Sequence, residues 1–529
     1  MQRWNGWGEE DIYYNLPIKA LSYLSKKLGP GIYKKSIQIQ DISLPSSKLP
    51  DSPLIVKDPK VRLRYSHGQS FPDLVALRYG AFGLFSDGVA FPKNEEGIED
   101  IFGFAKGINA QAIPFGGGTS VTGGVNPFPD RRPVLTVSLE RMSRLLELDE
   151  KSLLATFEAG VRGPWLEAQL RAHGFTLGHF PQSFEYSSLG GWIATRSAGQ
   201  QSLGYGRIED LFAGGLVMTP SGNINLLPFP ASAAGPDIRQ IILGSEGRFG
   251  IVSSAIIRIQ PLPEKESFFG MIFPTFRQGI EAVRHMVQEH IPLSMIRLSN
   301  QEETNISFML SSSPYLTGLL EKALALFGLK EQKCMLLLAA TGKKDTIQLA
   351  KAQSRAITKN ERGIFLGSIP GKEWKKNRFR LAYLRNTLWD EGYAVDTLET
   401  ATTWSKLLPT AKAIIKAIET ALESENEYVL GMVHVSHVYQ TGASLYFTFF
   451  FRLVPSADET IKRWQAIKEA ASKMILRHNA TISHHHGIGI DHKPYMQTEK
   501  GKTGMMLMSA LQKALDPGNF LNPGKLFDK

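Results

Sequence analysis

Cysteine is the scarcest residue of this chain, because Cys334 is the single cysteine among 529 residues. A disulfide framework, a cysteine-based zinc site and a Cys-x-x-Cys redox pair each need at least two cysteines, so all three are excluded. One isolated thiol also favours a reducing compartment. A chain of this length can bury a large core without covalent cross-links.

Long apolar runs are lacking as well. The most apolar stretch, residues 445–453, is interrupted by Thr448 and Arg452. It is much shorter than the roughly 20 residues of a membrane-spanning helix and indicates a buried strand. The first residues contain no apolar signal-peptide core, and the chain does not end in a Ser-Lys-Leu peroxisomal signal. We therefore expect a cytoplasmic protein.

The composition is that of an ordinary globular protein, with 43% hydrophobic and 21% charged residues, which excludes disordered, collagen-like and coiled-coil chains. The net charge of +10 and the pI near 9.3 favour an anionic ligand, a nucleic acid or an acidic membrane surface. The basic residues are spread along the chain, and no zinc-finger, basic-zipper or RNA-recognition signature is present. We expect no nucleic-acid partner.

The pattern of apolar residues, glycines and prolines divides the chain into four stretches. Residues 1–84 indicate short helices and a linker. Residues 85–262 alternate short apolar strands with helical patterns, which is an α/β layout that ends at a Pro-Leu-Pro boundary. Residues 263–457 predict a second, α+β domain with an antiparallel sheet. Residues 458–529 predict a helical segment that contains an irregular His/Gly loop.

The most informative segment is the glycine-rich stretch at 114–120, which is followed by Gly123 and Gly124. Its three consecutive glycines permit positive φ and expose backbone N–H groups that can surround a pyrophosphate, and Thr119 and Ser120 add hydroxyl donors. A plain surface turn is the alternative. The sequence has neither the Gly-x-Gly-x-x-Gly fingerprint nor a Gly-Lys-Ser/Thr loop here, so nicotinamide cofactors and ATP are disfavoured.

Two further glycine-containing loops follow, at 182–199 and 244–250, and either alone would be an ordinary turn. In their order and spacing after the first loop, they resemble the flavin domain of the vanillyl-alcohol-oxidase/PCMH superfamily over residues 85–262. The resemblance implies an α+β protein in which a two-subdomain PCMH-type FAD-binding domain is joined to an α+β cap domain. The first loop would wrap the FAD pyrophosphate, the second would line the flavin and the third would contact the adenine half.

The resemblance also implies noncovalent FAD, because the first loop lacks the histidine to which some members attach flavin. Two positions depart from the pattern: Gln182 stands where the loop normally has aspartate, and Phe180 where it has glutamate. These departures leave the detailed flavin contacts and the substrate preference open. The residues that the resemblance assigns to FAD are Pro114, Phe115, Gly116, Gly117, Gly118, Thr119, Ser120, Gln182, Ser183, Phe184, Glu185, Tyr186, Ser187, Ser188, Thr195, Arg196, Ser197, Ala198, Gly244, Ser245, Glu246, Gly247, Arg248, Phe249 and Gly250.

The C-terminal half separates two subfamilies of this superfamily. Flavin-dependent 2-hydroxy-acid dehydrogenases usually carry His-x-Gly-Asp-Gly-Asn-Leu-His and a later Glu-His-Gly, which together provide ligands for a divalent metal. Here Tyr446 replaces the final histidine, and His485 stands where the glutamate would be. The loss of an imidazole and a carboxylate would dismantle that metal site, so we expect no metal.

Three short blocks instead resemble the alkylglycerone-phosphate synthase family: residues 3–8, 441–447 and 483–489. The resemblance implies that Arg385 grips a substrate phosphate and that Arg297 supports the flavin-side site. It further implies proton transfer by Tyr446 near flavin N5 and by His484, His485 and His486.

The residue types alone leave other roles open. Arg297 could be a salt-bridge partner, Arg385 could continue the solvated basic run at 372–380, and Tyr446 could belong to the core. Zinc is a weaker alternative for the histidines, because adjacent histidines cannot all converge on one ion and no nearby acid completes a ligand set.

The reaction that the resemblance implies is an exchange on acyl-dihydroxyacetone phosphate. The substrate would lose a carbon-bound proton and form an adduct with flavin N5, and the fatty acid would leave as carboxylate. A fatty alcohol, deprotonated by His485 or His486, would then attack to give an ether without net redox change.

Because both substrates have long chains, peripheral membrane contact is expected, with the basic run at 372–380 as one docking face or as a merely solvated helix. A homodimer is compatible with the sequence. The alternatives are an FAD-dependent 2-hydroxy-acid dehydrogenase or oxidase without metal, and a non-catalytic flavin-binding protein.

Overall fold

The computed structural model describes residues 2–310 and 332–528, and between these two ranges Gly318, Lys322, Leu324, Ala325 and Leu329. Strands are numbered in chain order, and three sheets and a two-stranded ribbon contain all those of the described residues. No helix in the described part of the chain combines the length and apolar character needed to cross a bilayer.

The first sheet is small and mostly parallel, in the order β1-β2-β4-β3. The strands are β1 (Ile55–Val56), β2 (Gly88–Ala90), β3 (Gln111–Phe115) and β4 (Val134–Ser138). The helix Glu95–Gly107 connects β2 to β3, and the Asn94 side chain caps it by accepting a hydrogen bond from the Gly97 N–H. Its apolar face packs on the sheet, so β3 delivers the first glycine loop directly from a buried strand.

The second sheet is entirely antiparallel, in the order β5-β6-β10-β8-β9. The five strands are β5 (Leu145–Asp149), β6 (Leu154–Glu158), β8 (Phe212–Met218), β9 (Ile224–Leu226) and β10 (Ile251–Arg258). The helices Gly163–Ala172 and Leu189–Thr195 follow β6 along the chain. The second glycine loop leads into the helix Leu189–Thr195 and the third leads into β10. The α+β class is confirmed. Residues 85–262, whose pattern indicates an α/β layout, contain most of the largely parallel first sheet and all of the antiparallel second sheet.

The third sheet has seven antiparallel strands in the order β15-β12-β14-β13-β17-β18-β16. Their bounds are β12 (Lys265–Phe273), β13 (Met295–Ser299), β14 (Cys334–Gly342), β15 (Ile364–Gly367), β16 (Tyr393–Thr403), β17 (Leu430–Tyr439) and β18 (Gly442–Arg452). The long helices that pack on one face are Phe276–Gln288, Lys344–Asn360, Trp404–Glu419 and Ala457–Arg477. The predicted antiparallel sheet is therefore present.

Alternation along β18 decides which side chains reach the other face of this sheet. Phe447, Phe449 and Phe451 are fully buried against the helices, and each contributes about 1.5–3 kcal/mol by leaving water. The residues between them, Tyr446 and Thr448, point to the opposite face, where they line a cavity. The strand that the sequence indicated is therefore buried at every second position, and the residues between line the cavity.

Both ends of the chain return to the body of the molecule. The N-terminal segment pairs Gln2 with Glu9 and leads into the helix Ile18–Leu28, which packs against the third sheet. The C-terminal helix Met496–Leu515 is followed by a tail in which Leu521 forms a bridge with Ala112 of β3. The remaining elements are the helices Pro59–Arg64, Phe71–Tyr79, Ser202–Tyr205, Ile208–Leu211, Arg239–Ile242, Gln301–Met309, Ile369–Asn377 and Leu384–Asp390, the short 3-10 turns Ile39–Asp41, Arg380–Tyr383, Glu423–Glu425 and Lys493–Tyr495, and the ribbon of β7 (Phe175–Thr176) with β11 (Gln260–Pro261).

Candidate active site

One cavity of about 470 Å3 is lined both by the glycine loops and by the exposed face of the third sheet. The residues expected to bind FAD and those expected to carry out chemistry therefore meet in one place. The sequence-predicted residues that line it are Pro114, Phe115, Gly116, Gly117, Gly118, Thr119, Ser120, Gln182, Ser183, Ser187, Ser188, Thr195, Ser197, Ala198, Ser245, Glu246, Gly247, Gly250, Arg297, Arg385, Tyr446, His485 and His486.

The first glycine loop lies so close to the second that side chains are excluded. A Cβ atom on Gly117 would stand 1.8 Å from the carbonyl oxygen of Tyr186, and one on Gly116 would stand 2.2 Å from Ser188 Oγ. Gly118 has a φ of 65°, in the left-handed region. The result is a bare backbone cradle with adjacent hydroxyls, and these residues fit the pyrophosphate of a dinucleotide such as FAD.

The third glycine loop does more than line the cavity, because Glu246 ties it to the His/Gly loop. Its carboxylate accepts hydrogen bonds from the backbone N–H groups of Ile488 and Gly489, the latter at 2.8 Å. Burial raises the pKa of Glu246 to about 7. Glu246 therefore holds the C-terminal histidine loop against the region that carries the glycine loops.

Eight of the predicted residues lie outside the cavity lining, and their roles at FAD or in catalysis stay predictions. Arg248 donates to the Leu521 carbonyl at 2.8 Å and anchors the C-terminal tail. The Tyr186 hydroxyl lies 3.0 Å from that of Tyr383, and Arg196 Nε donates to the Leu243 carbonyl at 3.2 Å. Phe184, Tyr186, Arg248 and Phe249 are buried, whereas Glu185 is exposed. The eight are Phe184, Glu185, Tyr186, Arg196, Gly244, Arg248, Phe249 and His484.

Tyr446 lies between two polar cross-strand neighbours. In the antiparallel register it is paired with Glu399 of β16 on one side and with His434 of β17 on the other. Directly paired residues share a face of the sheet, and the His434 ring stacks on the Tyr446 ring at 4.8 Å. Burial raises the pKa of Tyr446 to about 12, so its phenol is protonated at neutral pH.

His434 is held in one tautomer by its two partners. Arg297 Nη1 lies 3.0 Å from His434 Nε2, and a guanidinium can only donate, so Nε2 is the acceptor. The ring proton is therefore on Nδ1, which donates to Glu303 at 3.1 Å. Burial and the Arg297 charge lower the pKa of His434. Arg297 thus supports the site through His434 and a salt bridge to Glu303 at 2.5 Å.

The triple-histidine loop is organised by Glu399. This fully buried carboxylate accepts hydrogen bonds from the backbone N–H groups of His484, His485 and His486 at 2.8–2.9 Å and from Ser483 Oγ at 3.0 Å. The expectation that no acid lies near the histidines is therefore wrong, because the strand β16 brings one from 85 residues upstream of His484.

Glu399, His484 and His485 form a group whose ligand atoms lie within 4.8 Å of one another, a spacing that could hold a metal ion. The carboxylate of Glu399 is already engaged by four donors, however, which explains its burial without an ion. Burial alone would raise the pKa of Glu399, but the neighbouring imidazoles, His485 foremost, lower it well below its usual range.

The three histidines do not face the same way. His485 and His486 line the cavity, and their rings lie 6.2 Å and 5.4 Å from that of Tyr446. His484 lies behind them, with its Nδ1 2.9 Å from His485 Nδ1 and its Nε2 2.5 Å from the Tyr439 hydroxyl. Burial lowers the pKa of His486 to about 3 and that of His484 well below its usual value. Both imidazoles are therefore uncharged at neutral pH.

Arg385 offers unpaired donors to the cavity. Its Nη1 donates to the Gln69 carbonyl at 2.5 Å, and the Gln69 N–H in turn donates to Ser120 of the first glycine loop at 2.7 Å. Its Nε and Nη2 are buried without a hydrogen-bond partner among the described residues, and the nearest carboxylate, Asp396, is 3.9 Å away. Buried N–H donors without partners favour an anionic ligand.

The N-terminal motif at 3–8 is hydrogen-bonded to the helix Leu384–Asp390, which carries Arg385. The Asn386 side chain donates to the Trp7 carbonyl at 2.8 Å and accepts from the Trp7 N–H at 3.1 Å. Trp7 is buried and lines the cavity, and its indole Nε1 has no partner in the described part of the chain. The N-terminal motif at 3–8 is therefore part of the cavity, through Trp7.

The far end of the cavity is apolar. Leu16, Ala20 and Leu24 approach it from the N-terminal segment and its helix. They are joined there by the side chains of Ile306, Met309, Leu384, Leu388, Met432 and Phe450. Such a lining suits a hydrocarbon chain.

Several residues of this site escape sequence reasoning. Glu399, His434 and Tyr439 lie on β16 and β17, and Glu303 lies on the helix Gln301–Met309. Only the tertiary fold, with the register of β16, β17 and β18, brings them together. Glu399 gives a local signal, because it is a carboxylate within an eleven-residue strand. An acid that is buried in a strand needs hydrogen-bond partners, which indicates a polar site nearby.

Comparisons with known families agree with this arrangement. The FAD binding domain family matches residues 86–226, and the family of the C-terminal domain of FAD linked oxidases matches residues 262–526. An alkyldihydroxyacetonephosphate synthase from Trypanosoma brucei brucei is 32% identical, and the match covers 99% of this chain and 92% of that protein. The protein of the same name from Dictyostelium discoideum is 29% identical, with 99% and 93% covered.

Solved structures extend the comparison to the fold. A structure of alkyldihydroxyacetonephosphate synthase superposes with a TM-score of 0.84 at 26% identity and covers 99% of both chains. A p-cresol methylhydroxylase, at 14% identity and a TM-score of 0.71 over 96% of both chains, shares the fold. A glycolate oxidase subunit from Bacillus subtilis is 27% identical over 90% of this chain and 98% of that protein.

Proposed function

This chain belongs to the alkyldihydroxyacetonephosphate synthase family, and from that premise we propose that it is an FAD-dependent enzyme that exchanges the acyl group of acyl-dihydroxyacetone phosphate for a fatty alcohol. The observation that carries the proposal is the single cavity that combines a glycine cradle, the unpaired donors of Arg385 and an apolar end. These three parts match a dinucleotide, a phosphate and a long chain.

Arg385 binds the substrate phosphate in this proposal. Its planar guanidinium can form two parallel charged hydrogen bonds with phosphate oxygens, and its Nε and Nη2 are free to do so among the described residues. Because Arg385 is connected through Gln69 to Ser120, a phosphate bound there is positioned relative to the flavin cradle.

In this proposal, Tyr446 and the histidines around it transfer protons. With a pKa near 12, Tyr446 enters the reaction as a proton donor. The imidazoles of His485 and His486, which line the cavity, are the acceptors for the substrate's carbon-bound proton and for the proton of the alcohol. The glycine loops would hold FAD, which would supply an electron-accepting ring for the reaction. Arg297, through His434, keeps Tyr446 in place.

The two alternatives raised by the sequence are not favoured. A 2-hydroxy-acid dehydrogenase of this superfamily uses a histidine where this chain has Tyr446, and the relative named as a glycolate oxidase subunit is less similar than the Trypanosoma synthase. A non-catalytic flavin-binding protein would not need the four-donor clamp that Glu399 provides for the histidine loop.

The direct test uses purified, FAD-loaded protein with palmitoyl-dihydroxyacetone phosphate and deuterated hexadecanol. Mass spectrometry should detect a deuterated ether and free palmitate in equal amounts, and the flavin spectrum should be oxidised before and after. Failure to form ether, together with flavin bleaching by a 2-hydroxy acid without oxygen, would assign the protein to the dehydrogenases instead.

The location and the assembly follow from the same proposal. We infer a cytoplasmic enzyme that meets lipid substrates at a membrane surface by peripheral contact, because both substrates carry long chains. A homodimer stays a prediction, which size-exclusion chromatography with light scattering can check.

A further inference from the structure

We propose that His484 and Tyr439 form a proton path that leads from His485 in the cavity to the protein surface. This inference rests on the proposed function, because the path has a task only if the acyl-for-alkyl exchange takes place. It gives His484 a task that requires no place in the cavity lining, and it adds Tyr439, which also lies outside that lining.

The stoichiometry of the exchange requires such an exit. The carbon–oxygen bond to the acyl group breaks, the carbon–oxygen bond to the alcohol forms, and nothing is oxidised or reduced overall. The reactants are a neutral ester group and a neutral alcohol, whereas the products are an ether, a carboxylate and a proton, since a fatty acid ionises below neutral pH. Every turnover therefore leaves one proton in a largely apolar cavity, and that proton must reach water.

Three side chains are connected in a line that begins in the cavity. His485 lines the cavity, whereas neither His484 nor Tyr439 does. The Nδ1 atoms of His485 and His484 are 2.9 Å apart, and His484 Nε2 is 2.5 Å from the Tyr439 hydroxyl. Tyr439 is partly exposed and precedes the exposed Gln440 at the β17–β18 turn. Each distance is that of a hydrogen bond.

Each atom in this line can accept on one side and donate on the other. When His485 Nε2 takes the alcohol proton, its Nδ1–H passes to Nδ1 of His484. The Nε2–H of His484 then passes to the Tyr439 oxygen, and the original phenol proton leaves to solvent. One proton enters and one departs. Both rings are left in the opposite tautomer, and ring rotation with proton exchange in the emptied cavity returns them to the starting tautomer before the next turnover.

The other imidazoles around the cavity have no such connection. His434 is fixed between Arg297 and Glu303, and His437 is bonded through Nδ1 to Ser202 at 3.1 Å. His486 has only Glu399 at 4.0 Å as an ionic neighbour among the described residues. The geometry therefore singles out His485, rather than His486, as the residue that takes the alcohol proton.

Charges along the path suit a transient cation. The Glu399 carboxylate lies 3.4 Å from His485 Nδ1 and 3.7 Å from His484 Nδ1, so it stabilises a proton shared between them. At the outer end, Glu209 and Asp210 act on Tyr439 together with Arg207, and Arg207 also holds the His484 carbonyl at 3.1 Å. Arg207 has the largest effect of these charges and is paired with Glu209 at 2.9 Å, so the outer end carries no uncompensated cation.

The test compares wild type with Tyr439→Phe, which removes the outer hydroxyl and keeps the ring, in the ether-forming assay. The matched control is Tyr393→Phe, which removes a hydroxyl that donates to Gly29 at 2.9 Å, far from the histidine loop. We expect kcat of Tyr439→Phe to fall by about tenfold or more, with unchanged KM, unchanged FAD content and a larger solvent deuterium isotope effect. Added imidazole should restore kcat, and His484→Asn should behave in the same way.

Two outcomes in an active wild type would overturn the path: full kcat in Tyr439→Phe, or a loss that imidazole does not restore while the protein stays folded and FAD-loaded. Loss of wild-type activity on treatment with EDTA, and its return with zinc, would assign the His484–His485 pair to a metal and overturn it too. A wild type that forms no ether at all would instead refute the proposed function, and this inference with it.

Discussion

Glu399 shows how one residue can decide the geometry of a whole site. Its carboxylate is fully buried, yet it is not an uncompensated charge, because four donors from residues 483–486 point at it. Backbone N–H groups of three successive residues can converge on one acceptor only if the loop is irregular, and the glycines that follow, Gly487 and Gly489, both have positive φ. The positions of the imidazoles are thus a consequence of Glu399.

We expect Glu399→Gln to lower the free energy of unfolding by about 2 kcal/mol, because charged hydrogen bonds become neutral and one acceptor oxygen is replaced by a donor. Urea denaturation at neutral pH measures the difference. Glu469→Gln, which alters an exposed acid paired with Lys473, is the control and should change stability little. Equal stability of the two variants would contradict this role of Glu399.

The pH dependence of that difference has a definite sign. The pKa of Glu399 is depressed in the folded protein, so its contribution is present above the unfolded pKa of about 4.3. It is lost as the pH falls through the folded value, where the carboxylate takes up a proton in both states. The stability gap between wild type and Glu399→Gln should therefore be constant from pH 6 to 8 and shrink only in acid, which denaturation series at several pH values will show.

At the scale of elements, local sequence patterns predict the individual strands, helices and turns, because these depend on interactions between residues near in the chain. Strands such as β4 and β18 and helices such as Phe276–Gln288 follow from apolar periodicity, and the glycine cradle follows from three glycines in a row. The pairing of β18 with both β16 and β17 does not, because register depends on residues far apart in the chain. The role of Tyr446 is therefore implied by the family resemblance and not by the local pattern, and neither source indicates its neighbours Glu399 and His434.

The N-terminal segment is an element whose role emerges only from its contacts. Asn386 binds both backbone groups of Trp7, so Asn386→Ala should release the segment from the helix Leu384–Asp390 that carries Arg385. We expect a rise of about tenfold in KM for acyl-dihydroxyacetone phosphate, since two hydrogen bonds of roughly 1 kcal/mol each fix the phosphate-binding side chain. Steady-state kinetics would check this, and the FAD content should not change.

Asn223→Ala is the control, because that exposed amide donates to Glu99 at 3.2 Å and lies outside the cavity lining. If both variants raised KM equally, a general loss of stability would explain the result better than release of the N-terminal segment.

On the scale of the whole molecule, the active site exists because three distant parts of the chain close one cavity: glycine loops, the third sheet and the C-terminal loop. Glu246 and Gln69 connect them. FAD binding should therefore stabilise the entire fold. With FAD at about 100 times its dissociation constant, the gain is about 2.7 kcal/mol, which a thermal shift of the apoprotein will report.

The same preparation tests whether FAD is noncovalent. The first glycine loop has no histidine, so acid precipitation should leave all the yellow colour in the supernatant. Flavin fluorescence that stays with the pellet would show a covalent link from another side chain of the cavity.

We propose that the molecule contacts lipid at one opening of the cavity. Leu16 lines the apolar end of the cavity, and Ile18, two residues on, is 83% exposed; Leu381 both lines the cavity and is 45% exposed. Arg380 lies against Tyr14 at 5.3 Å, so the N-terminal segment and the end of the basic run at 372–380 adjoin at one opening. An apolar rim with adjacent basic residues favours contact with an anionic bilayer.

Replacing Ile18 and Leu381 by serine should therefore weaken sedimentation with phosphatidylserine-containing vesicles and reduce turnover of long-chain substrates more than of short, soluble ones. Leu349→Ser, at a leucine that is 54% exposed on the helix Lys344–Asn360, is the control for loss of surface hydrophobicity. Since each apolar side chain contributes about 1.5–3 kcal/mol when it leaves water, the double variant should bind vesicles at least tenfold more weakly. Equal vesicle binding by the double variant and the control would show that another face of the protein contacts lipid. The opening at Ile18 and Leu381 would then not be the route by which the substrates enter.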